Sequence, residues 1–383
     1  MMAPAPTSGS ISLVNGRISK YDPVNVSEVE ITEGFNGHIN GIVNGFQRPS
    51  AFAEGARVVP KSLSESMAAT KAEYRKASQL LFAAYTKGIT TWDTANAYSN
   101  GVSEEIIGRT IKRYNIPRRK LVLMTKVGRI VAHPDDSDPG DFVAFLDDLV
   151  GRSKDYTNQY GLSRTAIFNA VEQSLERLQT SYIDVLHIHR YDDTVPPEET
   201  MQALHQLVMS GKVRYLAASS MWTYQFATLQ SIAERNSWTK MVAMQNHYNL
   251  LYREEEREMI KYCRKTGVGI LPWSPLAEGL LARPPGLIGT STRSLEPSRF
   301  GNGQSEPDKS IIKRTLEVSK ARNWTMSQVA LAWLNRRVAA PIIGMNSVGR
   351  MDEALAVRGM ELSWEEEAYL EEAYEPKRIQ GHS

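Results

Sequence analysis

The chain has 383 residues, of which 42% are apolar, so it can bury a large hydrophobic core. Its 45 basic and 43 acidic side chains nearly balance and form no Lys/Arg block, which disfavours nucleic acid as a partner. The lone cysteine, Cys263, excludes an intrachain disulfide and a multi-cysteine metal site and favours a reducing, cytoplasmic location. No signal-peptide pattern or run of about 18 apolar residues occurs, so no membrane association is predicted.

Residues 1–69 lack the periodic pattern of the rest of the chain. Ile11 to Ser19 is predicted to form a hairpin with Asn15-Gly16 at its turn, and Asn44-Gly45 is a second turn signal. We therefore expect a diverged amino-terminal segment, within which the pattern does not fix the first strand of the following domain.

From about Thr70 onward, short apolar runs alternate with amphipathic helical patterns, which is typical of repeated βα units around a parallel sheet. One helical pattern is Thr165 to Leu178, where Ile167, Val171, Ser174 and Leu175 share a face with Leu178. The strand candidates are Ile89 to Trp92, Leu121 to Thr125, Ile183 to Ile188, Val213 to Ala218, Met241 to Gln245, Val268 to Pro272 and Pro341 to Gly344.

Seven parallel strands with an eighth upstream predict an α/β fold of the closed (β/α)8, or TIM barrel, class. The barrel domain is expected to span residues 70–375, followed by a carboxy-terminal tail at 376–383. An open doubly wound sheet is the alternative. It is disfavoured because no G-x-G-x-x-G turn follows an early strand.

Three further stretches interrupt or decorate the pattern. His133 to Tyr160 and Arg283 to Ser310 are irregular, and we predict long loops there that shape a substrate pocket. The charged run Arg253 to Arg257 is predicted to be a solvated helix face with local ion pairs.

Polar side chains follow the strand candidates at the points where the strands end. Asp93 follows the first candidate, and Tyr98 lies five residues further on, before a helix predicted to begin near Ser103. Lys126 and His189 each follow a strand directly. Because the carboxyl ends of barrel strands meet at one face, where such enzymes keep their active sites, a shared cleft is predicted.

Together these side chains suit proton delivery to a carbonyl oxygen. A free tyrosine titrates near 10 and is a poor acid at neutral pH unless a nearby cation stabilises its phenolate. Lys126 is a candidate for that cation, Asp93 for the anion that holds it, and His189 for a hydrogen-bond donor that orients the carbonyl. The carbonyl carbon would need hydride from a reduced nicotinamide, which no side chain supplies.

Several motifs occur in the order typical of one enzyme family. They are GITTWDTANAYSNGVSEEIIGRTI, LMTKVG, GLSRTAIFNAVEQSLERLQTSYIDVLHIHRYD, GKVRYLAASSMW, MQNHYNLLYREEEREMI, LPWSPLAEGLLARP and PIIGMNSVGRMDEAL. Over residues 70 to 374 the chain thereby resembles the aldo-keto reductases. The family's Gly-containing turn after its first strand is not found in residues 20–69.

The resemblance implies an NADP-dependent oxidoreductase that reversibly reduces an aldehyde or ketone without a metal. It implies Tyr98 as the general acid/base, Asp93 and Lys126 as its tuning pair, and His189 as the carbonyl-orienting residue. NADPH is favoured over NADH because Arg350 suits a 2′-phosphate. The implied cofactor-binding residues are Ser219, Ser220, Gln245, Trp273, Ser274, Leu276, Gly279, Asn346, Ser347, Arg350 and Glu353.

Two other functions remain open from the sequence. An NADPH-binding barrel with little turnover is suggested by the altered amino-terminal strand. A non-redox barrel enzyme would use Lys126 to form a Schiff base with its substrate. His187 and His189 resemble a metal pair, but no carboxylate or cysteine at a suitable spacing completes a site, and we treat His187, His205 and His247 as structural.

Overall fold

The computed structural model describes residues 71–132, 154–287, 303 and 305–382. The hairpin and turn predicted within residues 1–69 lie outside this part of the chain, as does most of the predicted loop from His133 to Tyr160. In the described residues no helix is long and apolar enough to cross a membrane.

Six strands form one parallel sheet in which sequence neighbours pair, in the order β1 to β6. The six correspond to the first six predicted strands, and β3 and β5 have the predicted bounds. The strands are β1 (Thr91–Asp93), β2 (Val122–Val127), β3 (Ile183–Ile188), β4 (Val213–Ser219), β5 (Met241–Gln245) and β6 (Gly269–Ile270).

The seventh predicted strand, Pro341 to Gly344, is not a strand, and that prediction was wrong. The chain nevertheless runs beside β6, because the Ala339 N–H donates to the Ile270 carbonyl at 3.0 Å and the Ile342 N–H to the Pro272 carbonyl at 2.8 Å. The residue numbers of donors and acceptors rise together, so the two segments run parallel. Proline has no N–H, so Pro341 cannot contribute to a regular ladder.

Ten α-helices occur in the described residues, and most alternate with the strands. They are α1 (Lys71–Thr86), α2 (Val102–Arg113), α3 (Arg164–Leu178), α4 (Pro197–Met209), α5 (Thr223–Arg235), α6 (Met259–Thr266), α7 (Glu306–Arg322), α8 (Met326–Asn335), α9 (Val348–Leu355) and α10 (Trp364–Glu371).

The predicted helix face of α3 is confirmed, since all five of its predicted apolar-face residues are buried. The predicted loop from Arg283 to Ser310 is too long, because α7 already begins at Glu306. The Ser305 side chain accepts the Asp308 N–H, an N-cap that was missed in the Ser-rich stretch.

Alternate residues of the central strands β2, β3 and β4 face two different hydrophobic clusters. The large cluster packs the strands against the helices and contains Leu123, Leu186 and Leu216. The residues one position further along, such as Met124 and Ala217, belong to a second cluster that joins side chains from β2 to the segment beside β6. A flat sheet has no common interior, so the second cluster shows that this sheet curls around it.

A buried carboxylate fastens α2 to β2 and α3 on the helix side of the sheet. Glu104 is fully buried, accepts the Thr125 hydroxyl at 2.5 Å and pairs with Arg177 Nε at 2.8 Å. We expect Arg177→Met to lower the free energy of unfolding by about 3 to 5 kcal/mol, because it leaves the carboxylate buried without its cation. Urea denaturation measures this loss.

The matched control for that variant is a second change at the partner. Adding Glu104→Gln to Arg177→Met removes the buried charge while an amide oxygen can still accept the Thr125 hydroxyl. Stability should then recover in part. If the double variant lost as much free energy of unfolding as Arg177→Met, or more, lost packing rather than the unpaired charge would explain the effect.

Candidate active site

Side chains alternate between the two faces of a strand, and this alternation places the polar residues at the strand ends on the inner face, which carries the second cluster. Lys126 is two residues from Met124 and so lies on the same face, and in the parallel register it pairs with His187. Ser219 and Gln245 share the parity of Ala217 and Ala243, and Asp93 is the register partner of Met124. Lys126, Ser219, Gln245 and Asp93 therefore lie on the same inner face as the small apolar cluster. They form a polar layer at the carboxyl edge of the sheet.

Lys126 and Asp93 form a buried ion pair in this layer. Their side chains are 0% and 1% exposed, and Lys126 Nζ lies 2.8 and 2.7 Å from the two Asp93 carboxylate oxygens. Its third N–H donates to the Thr94 carbonyl at 2.8 Å. All three ammonium donors are therefore used, and a Schiff base at Lys126 would require breaking this pair.

A contact between Gln245 and Asp93 closes the polar layer across the sheet. Gln245 Nε2 donates to Asp93 Oδ1 at 2.9 Å, although β1 and β5 are four places apart in the strand order. In a flat sheet four strand spacings would separate them by about 19 Å. The contact therefore requires strong curvature of the sheet.

The loop after β1 holds Tyr98 by hydrogen bonds from its neighbours. Asn96 Nδ2 donates to the Arg129 carbonyl, and Asn100 both donates to the Ala132 carbonyl and accepts the Ala132 N–H, at 2.7 to 2.8 Å. These bonds tie the loop to the chain after β2. The loop ends at Gly101, whose φ of +89° suits glycine, and α2 begins one residue before the predicted Ser103.

Tyr98 lies between the buried cation and a histidine ring. The centre of its ring is 5.1 Å from Lys126 Nζ. The ring of His189 meets it edge-on, with centroids 5.9 Å apart and an interplanar angle of 82°. The four residues Asp93, Tyr98, Lys126 and His189 are thus brought together as the sequence predicted.

His187, the register partner of Lys126 on β3, is fully buried. Burial, reinforced by the Lys126 charge, lowers its pKa to about 4, so the imidazole is neutral at physiological pH. Among the described residues no group of three or more His, Cys, Asp or Glu side chains could hold a metal ion.

Ser219, Ser220, Gln245 and Trp273 form a second connected group beside the first. The Ser219 hydroxyl donates to the Gln245 carbonyl at 3.0 Å, and the Ser220 N–H to the same carbonyl at 3.1 Å. The indole Nε1 of Trp273 donates to the Ser220 hydroxyl at 2.9 Å. Because Gln245 also contacts Asp93, the two groups are continuous.

The loop after Trp273 has an unusual backbone. Ser274, Ala277, Glu278 and Gly279 all have positive φ values, between 47° and 97°. Non-glycine residues in this region cost about 1 to 3 kcal/mol each and cluster at ligand-binding segments. The loop carries the predicted residues Ser274, Leu276 and Gly279, with Leu276 directly before a 3-10 helix, Ala277–Ala282.

The remaining predicted residues lie at the start of α9 and do not join the buried network. Ser347 caps the helix by accepting the Arg350 N–H, and Asn346, Ser347 and Arg350 are exposed while Glu353 is partly buried. The chain enters α9 from the segment parallel to β6, so the amino end of α9 lies at the carboxyl edge of the sheet. The amino end of a helix attracts anions through its free N–H groups.

The charged run Arg253 to Arg257 is not a solvated helix face, and that prediction was wrong. Glu254 and Glu255 are buried, and Arg253 pairs with Glu371 of α10 at 2.9 Å as well as with Glu256. Only three of these residues are helical, in a 3-10 turn.

The buried glutamates instead hold the segment 374–382, which the sequence assigned largely to a tail. Glu254 accepts the Tyr374 hydroxyl at 2.6 Å and the Lys377 N–H at 2.8 Å. Burial raises the pKa of Glu254, but these bonds outweigh it and hold the pKa below its usual value. His382 Nε2 lies 2.7 Å from Glu255.

The far end of this segment reaches the predicted cofactor residues. The His382 ring meets Trp222 edge-on at 4.8 Å. Gly381 is so close to Trp273 that a Cβ there would lie 3.0 Å from the indole Cζ2 and 3.6 Å from the Ser220 hydroxyl. No periodicity in the sequence marks this contact, so its role at the site was missed.

Comparison with known proteins identifies the family. The sequence profile described as the Aldo/keto reductase family matches residues 64–375. The chain belongs to the aldo/keto reductase family. An aldo-keto reductase of Metarhizium robertsii, dtxS3, is 60% identical over 311 residues, which cover 80% of this chain and 84% of that protein. The versiconal hemiacetal acetate reductase of Aspergillus parasiticus is 48% identical over 305 residues, covering 77% and 86% of the two chains.

A solved structure shows the same fold. The crystal structure of the thermostable aldo-keto reductase Tm1743 with the inhibitor epalrestat has a TM-score of 0.63 and 24% identity, and the match covers 84% of this chain and 94% of that one. The family match makes this aldo/keto reductase an oxidoreductase of a family that acts on small-molecule carbonyl compounds with a nicotinamide cofactor.

Proposed function

We propose that this aldo/keto reductase uses NADPH to reduce an aldehyde or ketone to an alcohol, reversibly, with Tyr98 as the proton donor. The observation that carries the proposal is the buried Lys126–Asp93 pair directly beside the Tyr98 ring. A buried ion pair is costly unless it is fully satisfied, and this one is placed where a phenolate would need a cation.

The surroundings of Tyr98 suit both of its protonation states, the phenol before the reaction and the phenolate after it. His189, edge-on to Tyr98, would donate a hydrogen bond that orients the carbonyl oxygen toward the phenol. Tyr98 would then release its proton to that oxygen, and the Lys126 ammonium would stabilise the phenolate left behind. Asp93 and Gln245 keep the ammonium in place during the transfer.

The residues present fit a nicotinamide cofactor. When bound, NADPH supplies the hydride for the carbonyl carbon. Trp273 would stack on the nicotinamide, with Ser219, Ser220 and Gln245 holding its carboxamide. Ser274, Leu276 and Gly279 would border the pyrophosphate on the strained loop. Asn346, Ser347, Arg350 and Glu353 would take the adenosine end at the start of α9, where an exposed guanidinium and a helix amino end both suit a phosphate.

We further infer that the parallel sheet of the described residues belongs to a closed (β/α)8 barrel, the fold predicted for residues 70–375. The curled sheet, the common inner cluster and the chain segment parallel to β6 supply seven positions of such a barrel.

A direct test follows the loss of NADPH absorbance with a panel of aldehydes and ketones, against a blank without a carbonyl compound. Aromatic members belong in the panel because Tyr98, Trp222 and Trp273 all follow the carboxyl ends of strands. Turnover would support the proposal. NADPH binding, followed by tryptophan fluorescence, without turnover across the panel would establish instead a cofactor-binding barrel.

The preference for NADPH should depend on Arg350. We expect Arg350→Gln to raise the KM for NADPH about tenfold and to leave the KM for NADH unchanged, because only NADPH carries the 2′-phosphate. Steady-state kinetics with both cofactors measures this. Arg119→Gln, an exposed arginine before the amino end of β2, is the control. An equal rise for both cofactors would place Arg350 elsewhere than at the phosphate.

A further inference from the structure

Three flat rings are stacked in a row behind the predicted cofactor site. His247 lies between Trp273 and Tyr252, with ring centroids 4.1 and 4.3 Å away and interplanar angles of 10° and 11°. His247 is fully buried. No sequence pattern connects His247 with the site, and His247 was expected to be structural.

The backbone explains why the rings of His247 and Trp273 face each other. The two residues are partners in a parallel β-bridge just beyond β5 and β6, and the Trp273 N–H donates to the Asn246 carbonyl at 2.7 Å. Paired strands lie about 4.8 Å apart, so partner side chains on one face are within stacking distance. The stack is therefore set by the sheet rather than by a mobile loop.

Both ends of the stack are fixed. The Trp273 indole donates to the Ser220 hydroxyl at 2.9 Å, which sets the rotation of the ring in its plane. Tyr252 forms a tight turn with Asn249 through two backbone hydrogen bonds of 3.1 Å, and its hydroxyl accepts the Gln380 N–H at 2.9 Å. Tyr252 thus gives His247 a rigid backing on its other face.

The middle ring is uncharged at physiological pH. Burial, with the nearby Lys377 charge, lowers the pKa of His247 to about 3. Asn249 Nδ2 lies 3.2 Å from His247 Nε2, which holds the edge of the imidazole. A neutral, flat and laterally fixed ring suits the support of another flat ring.

We propose that His247 is a positioning residue for the reaction: its ring fixes the plane of Trp273 and, through it, the nicotinamide on the opposite face of the indole. The proposal rests on the proposed function, in which Trp273 stacks on the cofactor. One indole face is covered by His247, so a nicotinamide that stacks on Trp273 must use the other face. A tilt of the indole would then become a displacement of the nicotinamide ring, and hydride transfer is sensitive to such displacements.

The test compares two substitutions at His247. Phe keeps a flat ring in the stack but loses the hydrogen bonds of the imidazole with Asn249 and Gln380. The side-chain amide of Asn249 still donates to the Ser274 carbonyl. Leu keeps the volume apolar but removes the flat surface. His205→Leu is the matched control, because His205 stacks on Trp238 at 6.2 Å in the helix layer.

Two readouts separate positioning from a general loss of folded protein. Calorimetric titration gives the Kd for NADPH and counts the binding sites, and kcat is then expressed per counted site. A purely structural role would lower the number of sites and leave both quantities unchanged.

We expect His247→Leu to raise the Kd for NADPH and to lower kcat per site, each by about two- to tenfold. His247→Phe and His205→Leu should stay within about twofold of the parent on both scales. Values for His247→Leu equal to the parent, or an equal loss in His247→Phe, would overturn the inference while leaving the proposed function intact. A parent protein that fails to bind NADPH would overturn both.

Discussion

Tyr98→Phe is expected to lower kcat roughly 100- to 10,000-fold, the usual contribution of a positioned general acid, while the Kd for NADPH stays unchanged. The substitution removes one oxygen and keeps the ring that lies between Lys126 and His189. The loss should therefore be confined to proton transfer. Steady-state rates with the best carbonyl substrate and a calorimetric Kd measure the two quantities.

A Tyr-to-Phe change far from the site provides the control. Tyr369 on α10 donates its hydroxyl to Glu317 at the surface, and Tyr369→Phe removes only that bond. It should leave kcat unchanged. Parent-like turnover in Tyr98→Phe would show that another group or a water molecule supplies the proton, and the assignment of the acid would then be wrong.

The second large effect is expected at Lys126. Lys126→Met leaves Asp93 buried without its cation, which should lower the free energy of unfolding by about 3 to 5 kcal/mol. The same change removes the positive charge next to Tyr98, so kcat should fall at least as far as in Tyr98→Phe. Urea denaturation and steady-state kinetics at a temperature where the variant is folded measure the two effects separately.

A double variant separates stability from catalysis at this pair. Adding Asp93→Asn to Lys126→Met removes the unpaired charge, so much of the lost stability should return while activity stays absent. If activity returned as well, the ammonium would be needed only for folding. Because all three N–H groups of Lys126 are already bonded, we expect no trapping of carbonyl compounds on it by borohydride.

The apolar pattern predicted the strands well because each strand is marked by a short apolar run within its own few residues. β3 is a mostly apolar run that His189 follows directly, and β5 is an apolar run that ends in Gln245; their predicted and observed bounds agree. β6 is shorter than predicted, and the chain beside it is not a strand, since Pro272 and Pro341 cannot donate to a ladder. Both prolines are visible in the sequence, but the apolar pattern by itself predicts longer strands.

The arrangement of Asp93, Tyr98, Lys126 and His189 was also within reach of the sequence. Each residue lies at or shortly after the carboxyl end of a strand of one parallel sheet. The bond from Gln245 to Asp93 was not within reach, since it spans 152 residues and depends on the curvature of the sheet. The same applies to Glu254, whose partners Tyr374 and Lys377 lie 120 and 123 residues further along. A local charge pattern could not distinguish that buried anchor from a solvated surface turn.

The stacking of His247 on Trp273 required knowledge of which residues pair across two neighbouring strand ends. Spacing along the chain carries no such register, so His247, between Asn246 and Tyr248, was interpreted as structural. The pairing of His247 with Trp273 in the structure is what makes His247 a candidate support for the cofactor.

The most direct test of the central claim is the fate of hydrogen from the cofactor. The protein is incubated with NADPH in which both hydrogens at nicotinamide C4 are deuterium, together with a carbonyl substrate from the panel. The alcohol is analysed by mass spectrometry and NMR. The account predicts one deuterium on the former carbonyl carbon, with Tyr98→Phe forming far less of this product. An alcohol without deuterium at that carbon, or consumption of the carbonyl compound without cofactor oxidation, would contradict it.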